Sequence, residues 1–288
     1  MKLSPENLQK LCSIAISAAK KAGELISSYS NQEILVKNKA GGTSLASQVV
    51  TEVDIKSEAI ILEELNPTLK TYDLALLTEE STDDKSRFEK DYFWCIDPLD
   101  GTLPFTEQKS GYAISIALVA KEGTPQIGVV YDPLTKTLYH SIKGQGVFRN
   151  NEKWELNKID NTFTFVCDRS FKSHSKFEQI IKELKAFVNK KGWNKFEIIS
   201  HGGAAMNAIW VLEKAPACYF KLPKNTQGGG SLWDYAATAC VFKEIGASAT
   251  NIHGEKLDLN RKDSTFMNHQ GVVYSSDIMT SDFIQKLF

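Results

Sequence analysis

Two aspartates, Asp97 and Asp100, stand three residues apart where an apolar run ends at a proline and a glycine. The run before them, 92–96, is typical of a buried strand, and Pro98 cannot donate to a sheet ladder, so the pattern predicts that the strand ends there. Both carboxylates would then project from the carboxyl end of a strand, where open α/β sheets gather ligands. Like charges this close repel unless a cation lies between them, and carboxylate oxygen suits a hard cation such as Mg²⁺. The alternative is an Asp-Pro turn followed by an Asp-Gly turn.

Two further acidic segments could complete such a metal site. The apolar run 74–77 leads into Glu79 and Glu80, which repeats a pair of acids at a strand end. The alternative there is a solvated turn, since 81–84 continue the polar stretch. Asp234 follows Trp233 where an apolar-periodic helix begins, and its alternative role is that of a helix-dipole partner.

Together these segments resemble the signatures of the inositol monophosphatase superfamily, a group of Mg²⁺-dependent, lithium-sensitive phosphomonoesterases. The matching segments are Asp-Pro-Leu-Asp-Gly-Thr at 97–102, Glu-Glu at 79–80 and Trp-Asp at 233–234, in family order over almost the whole chain. The resemblance implies an α/β (α+β) fold, the layered αβαβα sandwich of sugar phosphatases. We expect an N-terminal half, 1–155, with an antiparallel-rich sheet and Glu79, Asp97 and Asp100. A C-terminal half, 156–288, would hold a smaller α/β sheet, Asp234 and substrate-pocket residues.

The same resemblance implies roles for single residues. Asp97 would bridge two Mg²⁺ ions, and a loosely held third ion near Glu79 would bring the number to two or three. Thr102, polarised by Asp54, would orient the attacking water, with no covalent phosphoenzyme. The expected metal ligands are Glu79, Asp97, the carbonyl of Leu99, Asp100 and Asp234. The expected catalytic residues are Asp54, Glu79 and Thr102, and the expected substrate-binding residues are Leu99, Asp100, Gly101, Thr102, Gly202, Gly203, Ala204 and Asp234.

Some of these residues have a plain structural alternative. Thr51 and Asp54 have nearly the spacing of a capping box, so Asp54 could simply cap its helix. Gly202, Gly203 and Ala204 open a helix, where free backbone amides form a natural anion site, but small residues also permit close packing of the helix on a strand. His201 beside them is more often structural than a substrate contact.

The sequence motifs indicate the substrate less clearly than they indicate the type of reaction. Inositol monophosphatases usually carry a glutamate seven residues before the Trp-Asp aspartate, and here that position is Gln227. Lys221 and Lys224 could contact a second phosphate, although solvated loop lysines are the commoner case. We expect a phosphatase acting on a small phosphorylated polyol, with a 3'(2'),5'-bisphosphate nucleotidase as the alternative. A catalytically silent phospholigand-binding relative is less favoured, because the metal-associated side chains are present.

Composition agrees with such an enzyme without selecting one. The 288 residues are 42% hydrophobic, enough for a sizeable core, and the net charge of −1 gives no electrostatic case for nucleic acid or an anionic membrane. Five cysteines without a Cys-x-x-Cys pair predict reduced, packed thiols. No apolar stretch could span a bilayer and the first residues lack a signal peptide's pattern, so we expect a cytoplasmic protein. The resemblance also implies a homodimer.

Periodicity predicts the elements that must position these residues. A helix is expected at 5–29, a second from 51–54 to Leu65 before Pro67, and an antiparallel meander at 112–121, 126–131 and 137–142. Gly144 and Gly146 predict a tight turn, and a polar link is expected at 150–160. The second half should then alternate between strands at 163–166, 196–200 and 217–222 and helices at 176–189, from 204 and after 234.

Overall fold

The elements have the following bounds. The computed structural model describes residues 2–29, 36–38, 49–156 and 161–288. Its helices in those ranges are α1 (Pro5–Tyr29), α2 (Glu52–Tyr72), α3 (Thr102–Thr106), α4 (Phe177–Lys191), α5 (Ala204–Glu213), α6 (Leu232–Ile245) and α7 (Ile278–Gln285). Its strands are β1 (Val36–Asn38), β2 (Val49–Thr51), β3 (Ala75–Thr78), β4 (Tyr92–Asp100), β5 (Ala113–Ala120), β6 (Pro125–Asp132), β7 (Thr137–Ile142), β8 (Gly146–Arg149), β9 (Glu152–Trp154), β10 (Thr162–Val166), β11 (Lys195–Ile199), β12 (Ala217–Lys221), β13 (Ser248–Thr250) and β14 (Val272–Ser275).

The first helix shows how closely local signals set an element. Ser4 accepts a hydrogen bond from the amide of Asn7 through its Oγ at 3.2 Å, as an N-cap does, and Pro5 occupies the first turn, where its missing N–H is not needed. The apolar positions from Leu11 to Ile26 recur at helical spacing and are buried. The predicted span of this helix is therefore confirmed.

The described residues form two large sheets beside the two-stranded antiparallel pair of β1 and β2. The seven-stranded sheet has the order β3-β4-β5-β6-β7-β8-β9, in which only the β3–β4 pair is parallel, so the predicted antiparallel meander is confirmed. The five-stranded sheet has the order β11-β10-β12-β14-β13, with β10 parallel to both β11 and β12. This parallel core follows from the strand–helix alternation of the second half.

Helices cover both faces of each sheet and create three apolar clusters. Helices α1 and α2 pack on one face of the larger sheet, and α5 and α6 lie between the two sheets. Helices α4 and α7 cover the outer face of the smaller sheet. Strand β4 is buried on both faces, so Phe93 and Cys95 belong to the central cluster while Trp94 and Ile96 belong to the outer one. The predicted αβαβα layering and fold class are confirmed.

Two prolines do not end their elements as predicted. Strand β4 runs through Pro98 to Asp100, because Pro98 lies in a bulge between the pairs Asp97–Ser115 and Asp100–Ala113, where no ladder N–H is required. The end predicted for α2 at Leu65 is also wrong. Pro67 is exposed inside α2, on the side where the freed carbonyl can meet water, and the helix continues to Tyr72.

The link predicted at 150–160 contains a strand. Strand β9 pairs antiparallel with β8 and is the edge strand of the larger sheet. Residues 157–160 lie outside the described residues. The turn predicted at Gly144 and Gly146 joins β7 to β8, with the amide of Gln145 donating to the carbonyl of Ile142 at 2.9 Å.

Candidate active site

Three carboxylates from two remote parts of the chain meet at the carboxyl end of β4. One oxygen from each of Asp97, Asp100 and Asp234 lies within 4.8 Å of the others. Asp97 and Asp100 are buried and Asp234 is half-buried. A single cation could therefore lie among all three carboxylates.

The bulge in β4 explains how two aspartates three residues apart reach one point. It shifts the register between Asp97 and Asp100, and the amide of Leu99 donates to Asp97 Oδ1 at 3.0 Å. Gly101 then takes a φ of 87°, which favours glycine, and starts the short helix α3. A Cβ at Gly101 would lie 2.7 Å from the carbonyl oxygen of Gly111. The bulge, the proline and the glycine therefore act together to aim both carboxylates inward.

Helix α5 fixes the orientation of Asp100. The amide of Ala204 donates to Asp100 Oδ1 at 3.0 Å, and the amide of Ala205 donates to Oδ2 at 2.8 Å. The N-terminus of a helix favours a carboxylate in this position through its free amides and its dipole. The anion that this helix end binds is thus part of the chain, so the expectation of free amides at Ala204 is wrong.

Asp234 is fixed by its own helix. It is the third residue of α6, and its Oδ2 accepts a hydrogen bond from the amide of Ser231 at 2.8 Å. A role of Asp234 as a helix-dipole partner is compatible with a role as a metal ligand, since a carboxylate that accepts one hydrogen bond keeps lone pairs for a cation.

The negative charges of these buried carboxylates repel one another. Burial raises the pKa of Asp97 well above its ordinary value, and the pKa rises further through the charges of Glu79, Asp100 and Asp234. Burial and the charge of Asp234 likewise raise the pKa of Asp100. Burial raises the pKa of Asp234, against the opposing effect of Lys221. Such a cluster requires protons or a multivalent cation to compensate it.

Glu79 adjoins this group without belonging to the three that meet within 4.8 Å. Its amide donates to the carbonyl of Ile96 at 3.2 Å, one residue before Asp97, and its charge raises the pKa of Asp97. The parallel pairing of β3 with β4 therefore places Glu79 beside the cluster, at the strand end that the sequence indicated.

A buried glutamate that sequence reasoning missed holds this segment in place. Glu58 Oε2 accepts hydrogen bonds from Thr78 Oγ1 at 2.5 Å and from the amide of Glu80 at 3.0 Å, and Ser81 Oγ donates to Oε1. Glu58 lies four residues after Asp54, on the same face of α2. That spacing of two acids in an amphipathic helix was the available signal.

Thr102 and Asp54 form the contact that the resemblance implied. Thr102 Oγ1 lies 3.1 Å from Asp54 Oδ1 and 3.3 Å from the carbonyl oxygen of Leu99. Asp54 is buried in the first turn of α2. The capping alternative rests on Thr51, whose side chain lies outside the described residues.

The glycines before α5 pack against the cluster. A Cβ on Gly203 would lie 2.4 Å from Asp100 Oδ2, and one on Gly202 would lie 2.5 Å from Asn207 Oδ1. The amide of Gly203 donates to the carbonyl of Gly111 at 2.7 Å. Close packing therefore accounts for both glycines, and their role in substrate binding stays a prediction.

Lys221 and Lys224 differ in their surroundings. The Nζ of Lys221 lies 2.9 Å from Asp168 Oδ2, and the Lys221 side chain is 17% exposed, so it is not a solvated loop lysine. Sequence reasoning missed Asp168, whose Oδ1 accepts from the hydroxyl of Tyr219 at 3.0 Å. Burial and the charge of Lys221 lower the pKa of Lys224.

His201 lies at the edge of a cavity of about 400 Å³. Its Nε2 lies 3.2 Å from Ser110 Oγ, and its ring packs on Trp210 with centroids 4.8 Å apart. Burial and nearby cations lower its pKa. These contacts support the structural interpretation of His201.

Comparison with known proteins identifies the family of this chain. The model of the inositol monophosphatase family matches residues 7–285. The chain belongs to the inositol monophosphatase family. It is accordingly a phosphatase, a phosphoric monoester hydrolase. It is 25% identical over 275 residues to the inositol-1-monophosphatase of Bacillus subtilis, covering 93% of this chain and 92% of that relative.

Other relatives and structures of the family agree on the fold. The chain is 30% identical to the Nus factor SuhB of Vibrio cholerae over 253 residues, which cover 86% of this chain and 87% of SuhB. The solved inositol monophosphatase of Thermotoga maritima superposes with a TM-score of 0.72 at 21% identity, covering 95% of this chain and 94% of that one. The enzyme from Anabaena superposes with a TM-score of 0.69 at 22% identity, over 98% and 96%.

Two general features of the described residues concern the cysteines and the helices. All five cysteines are free and buried, as predicted. No helix among the described ranges is long and apolar enough to cross a membrane.

Proposed function

We propose that this phosphatase hydrolyses small phosphorylated metabolites, using Mg²⁺ held by Asp97, Asp100 and Asp234 with Glu79 and the carbonyl of Leu99. The observation that carries the proposal is the convergence of three carboxylates within 4.8 Å of one another in a chain of this family.

The donor set fits a hard divalent cation. All of the converging groups are carboxylate oxygens, and among the described residues no histidine or cysteine joins them. Their raised pKa values mean that the ionised cluster is under-compensated by the protein itself. When bound, Mg²⁺ would neutralise phosphoryl oxygens and lower the pKa of a water molecule.

The chain's own groups would supply the orientation. When Thr102 donates its hydroxyl hydrogen to Asp54, its oxygen lone pairs remain to accept a hydrogen bond from water and so to fix that water. The amides of Gly101 and Thr102, at the start of α3, would bind the phosphate. The α5 amides keep Asp100 in a single orientation, so that the ligand set is preorganised.

The substrate class rests on the relatives. One similar solved structure is of the enzyme SaIMPase-II with inositol monophosphate bound, and another is of a dual-specific inositol monophosphatase and NADP phosphatase bound with D-inositol-1-phosphate. We infer a small phosphorylated polyol as the substrate. The homodimer, lithium sensitivity and cytoplasmic location implied by the sequence belong to the same proposal.

Phosphate release from inositol 1-phosphate, adenosine 3',5'-bisphosphate and fructose 1,6-bisphosphate tests the proposal. We expect turnover that requires Mg²⁺, stops with a chelator and falls with lithium. Equal phosphate release in the presence of excess chelator would contradict the metal assignment. Absence of release from every ester would contradict the proposed activity.

A further inference from the structure

One face of helix α2 contacts three separate parts of the candidate active site. Three polar residues at helical spacing, Asp54, Ser57 and Glu58, lie on this face. Asp54 contacts the hydroxyl of Thr102, and Ser57 Oγ donates to the carbonyl of Pro98, in the bulge of β4, at 2.8 Å. Glu58 accepts three hydrogen bonds from the end of β3 and the residues that follow it. A single helix therefore fixes these three parts of the site relative to one another.

The chain leaves the larger sheet at the point where Glu58 binds it. The parallel ladder between β3 and β4 ends at the pair Thr78–Ile96. The amide of Glu79 still donates to the carbonyl of Ile96 at 3.2 Å, whereas the amide of Glu80 donates to Glu58 Oε2 at 3.0 Å. From Glu80 onwards, a side chain of α2 replaces strand β4 as the hydrogen-bond partner.

Glu58 itself is held tightly by this segment. It is 6% exposed, Oε2 also accepts from Thr78 Oγ1 at 2.5 Å, and Ser81 Oγ donates to Oε1. In the part of the chain that the structure describes, no basic side chain forms an ion pair with Glu58, so hydrogen bonds from one short segment compensate its charge. A buried carboxylate is destabilised when such a donor moves away. Glu58 therefore opposes any displacement of the segment.

Glu79 connects this segment to the carboxylate cluster. Its amide bonds to the residue before Asp97, and its charge raises the pKa of Asp97. We propose that Glu58 is a positioning residue that raises the affinity of the site for Mg²⁺ by fixing Glu79. The inference rests on the proposed function, in which Glu79 is a metal ligand. A ligand that outer hydrogen bonds already hold in place loses less conformational freedom when the metal binds.

Binding of Mg²⁺ to the substrate-free protein, measured by isothermal titration calorimetry, tests this role without turnover. We expect Glu58→Ala to raise the Kd for Mg²⁺ about 10- to 100-fold. Glu58→Gln keeps a side-chain carbonyl that can accept from the Thr78 hydroxyl and the Glu80 amide, so it should recover most of that loss. A merely structural role of Glu58 would lower the thermal stability of the alanine variant and leave the Kd of the folded protein unchanged.

The glutamine variant also separates position from charge. Both substitutions remove the same negative charge, so a purely electrostatic effect of Glu58 on the cation would weaken Mg²⁺ binding equally in the two variants. Equal Kd values for Glu58→Ala and Glu58→Gln, both above that of the wild type, would therefore overturn the inference.

A milder substitution decides the question if Glu58→Ala does not fold. Ser81→Ala removes one donor to Glu58 at an exposed position, and we expect a smaller rise in the Kd for Mg²⁺. The matched control is Ser17→Ala, because Ser17 Oγ donates to another glutamate of α2, Glu64, at 3.0 Å. Glu64 lies about 15 Å along the helix from the residue that contacts Thr102. Equal Kd values for the two serine variants would overturn the inference.

A double-mutant cycle asks whether Glu58 acts through Glu79. Glu79→Gln removes the proposed ligand, so adding Glu58→Ala in that background should weaken Mg²⁺ binding no further. Additive losses in the double variant would show that Glu58 affects the cation by another route, which would contradict the proposal.

Failure of the proposed activity would look different. If no ester were hydrolysed but the Mg²⁺ affinities shifted as expected, the activity would be wrong and the role of Glu58 would stand. If esters were hydrolysed and Glu58→Ala bound Mg²⁺ as tightly as the wild type, the inference would be wrong and the activity would stand. A wild type that bound no Mg²⁺ would overturn the metal assignment together with the inference.

Discussion

At the level of single residues, Asp97 combines burial with repulsion from neighbouring negative charges. It is buried, and the charges of three other carboxylates raise its pKa. A group in this position can be tolerated only with a proton or a cation beside it. Its amide analogue keeps the side-chain oxygen that accepts the Leu99 amide, so the local backbone does not depend on the charge.

Asp97→Asn should therefore abolish turnover without unfolding the protein. We expect kcat to fall by about 10³-fold or more, because a proposed shared metal ligand is lost, while far-UV circular dichroism stays that of the folded protein and unfolding stays a single cooperative transition. Asp84→Asn is the matched control, since Asp84 is exposed and its acceptor contact to the amide of Ser86 is one that asparagine retains. Substantial Mg²⁺-dependent hydrolysis by Asp97→Asn would count against the assignment.

The Thr102–Asp54 contact allows a test of water orientation. Thr102→Val removes the hydroxyl at nearly constant volume, and we expect kcat to fall by about 10²-fold or more with little change in KM. Thr102→Ser should recover much of the rate because it restores the hydroxyl 3.1 Å from Asp54. The two rate constants are compared by steady-state phosphate release, and wild-type kcat in the valine variant would exclude this role.

At the level of elements, the N-terminus of α5 determines where Asp100 points. Gly203 has a φ of −65°, so alanine is compatible with its backbone, but the added Cβ would lie 2.4 Å from Asp100 Oδ2 and 2.7 Å from Gly101 Cα. Either the helix or the carboxylate must move. The proposed metal site would therefore depend on the packing of a helix against a bulged strand.

We expect Gly203→Ala to raise the Mg²⁺ concentration for half-maximal activity about 10- to 100-fold, with about 1–3 kcal/mol lost from the free energy of unfolding. The control is Gly246→Ala, at the C-terminus of α6, where a Cβ meets open space and the only strain is a φ of 80°. That control should be destabilised by about 1 kcal/mol, with an unchanged Mg²⁺ response. Equal Mg²⁺ titrations for Gly203→Ala and wild type would show that Asp100 does not depend on α5.

The elements also show which features a sequence encodes locally. The run from Asp97 to Thr102 carries both aspartates and the glycine turn within a few residues, so the clustering of the two carboxylates could be inferred directly, whereas the bulge could not. Pro67 and Pro98 were misread because tertiary context, namely an exposed helix face and a bulge, removes the usual penalty of proline. The contacts of Asp168 could not be predicted from local sequence, because its partners Tyr219, Lys221 and Asn207 are remote in sequence.

At the scale of the whole molecule, two remote chain segments must be held together for the cluster to exist. Asp97 and Asp100 lie on the seven-stranded sheet, and Asp234 lies on a helix between the sheets. The repulsion at the cluster therefore opposes folding whenever the carboxylates are ionised and no cation is bound. Stability, metal concentration and pH are linked through this one site.

The sign of that linkage follows from the raised pKa values. A carboxyl whose pKa is higher in the folded state binds its proton more tightly there, so its contribution to stability is largest at low pH. That contribution is lost as pH rises above the ordinary aspartate pKa of about 4 towards the folded value. Carboxylates with lowered pKa, such as Glu107 at about 2, act in the opposite direction, so the comparison must isolate the cluster.

Asp97→Asn isolates it, because asparagine stays neutral at every pH. In metal-free buffer we expect the variant to be more stable than wild type near neutral pH by about 1–3 kcal/mol, with the difference shrinking towards pH 4. Adding Mg²⁺ should reverse the order, since binding stabilises only the intact site, by about 2.7 kcal/mol at a hundred times the dissociation constant. Urea unfolding of both proteins across this pH range, with and without Mg²⁺, measures the effect. If the pH dependence of wild type and variant were parallel in chelator, the carboxylates would not be repelling one another, and Mg²⁺ would have no cluster of excess charge to neutralise.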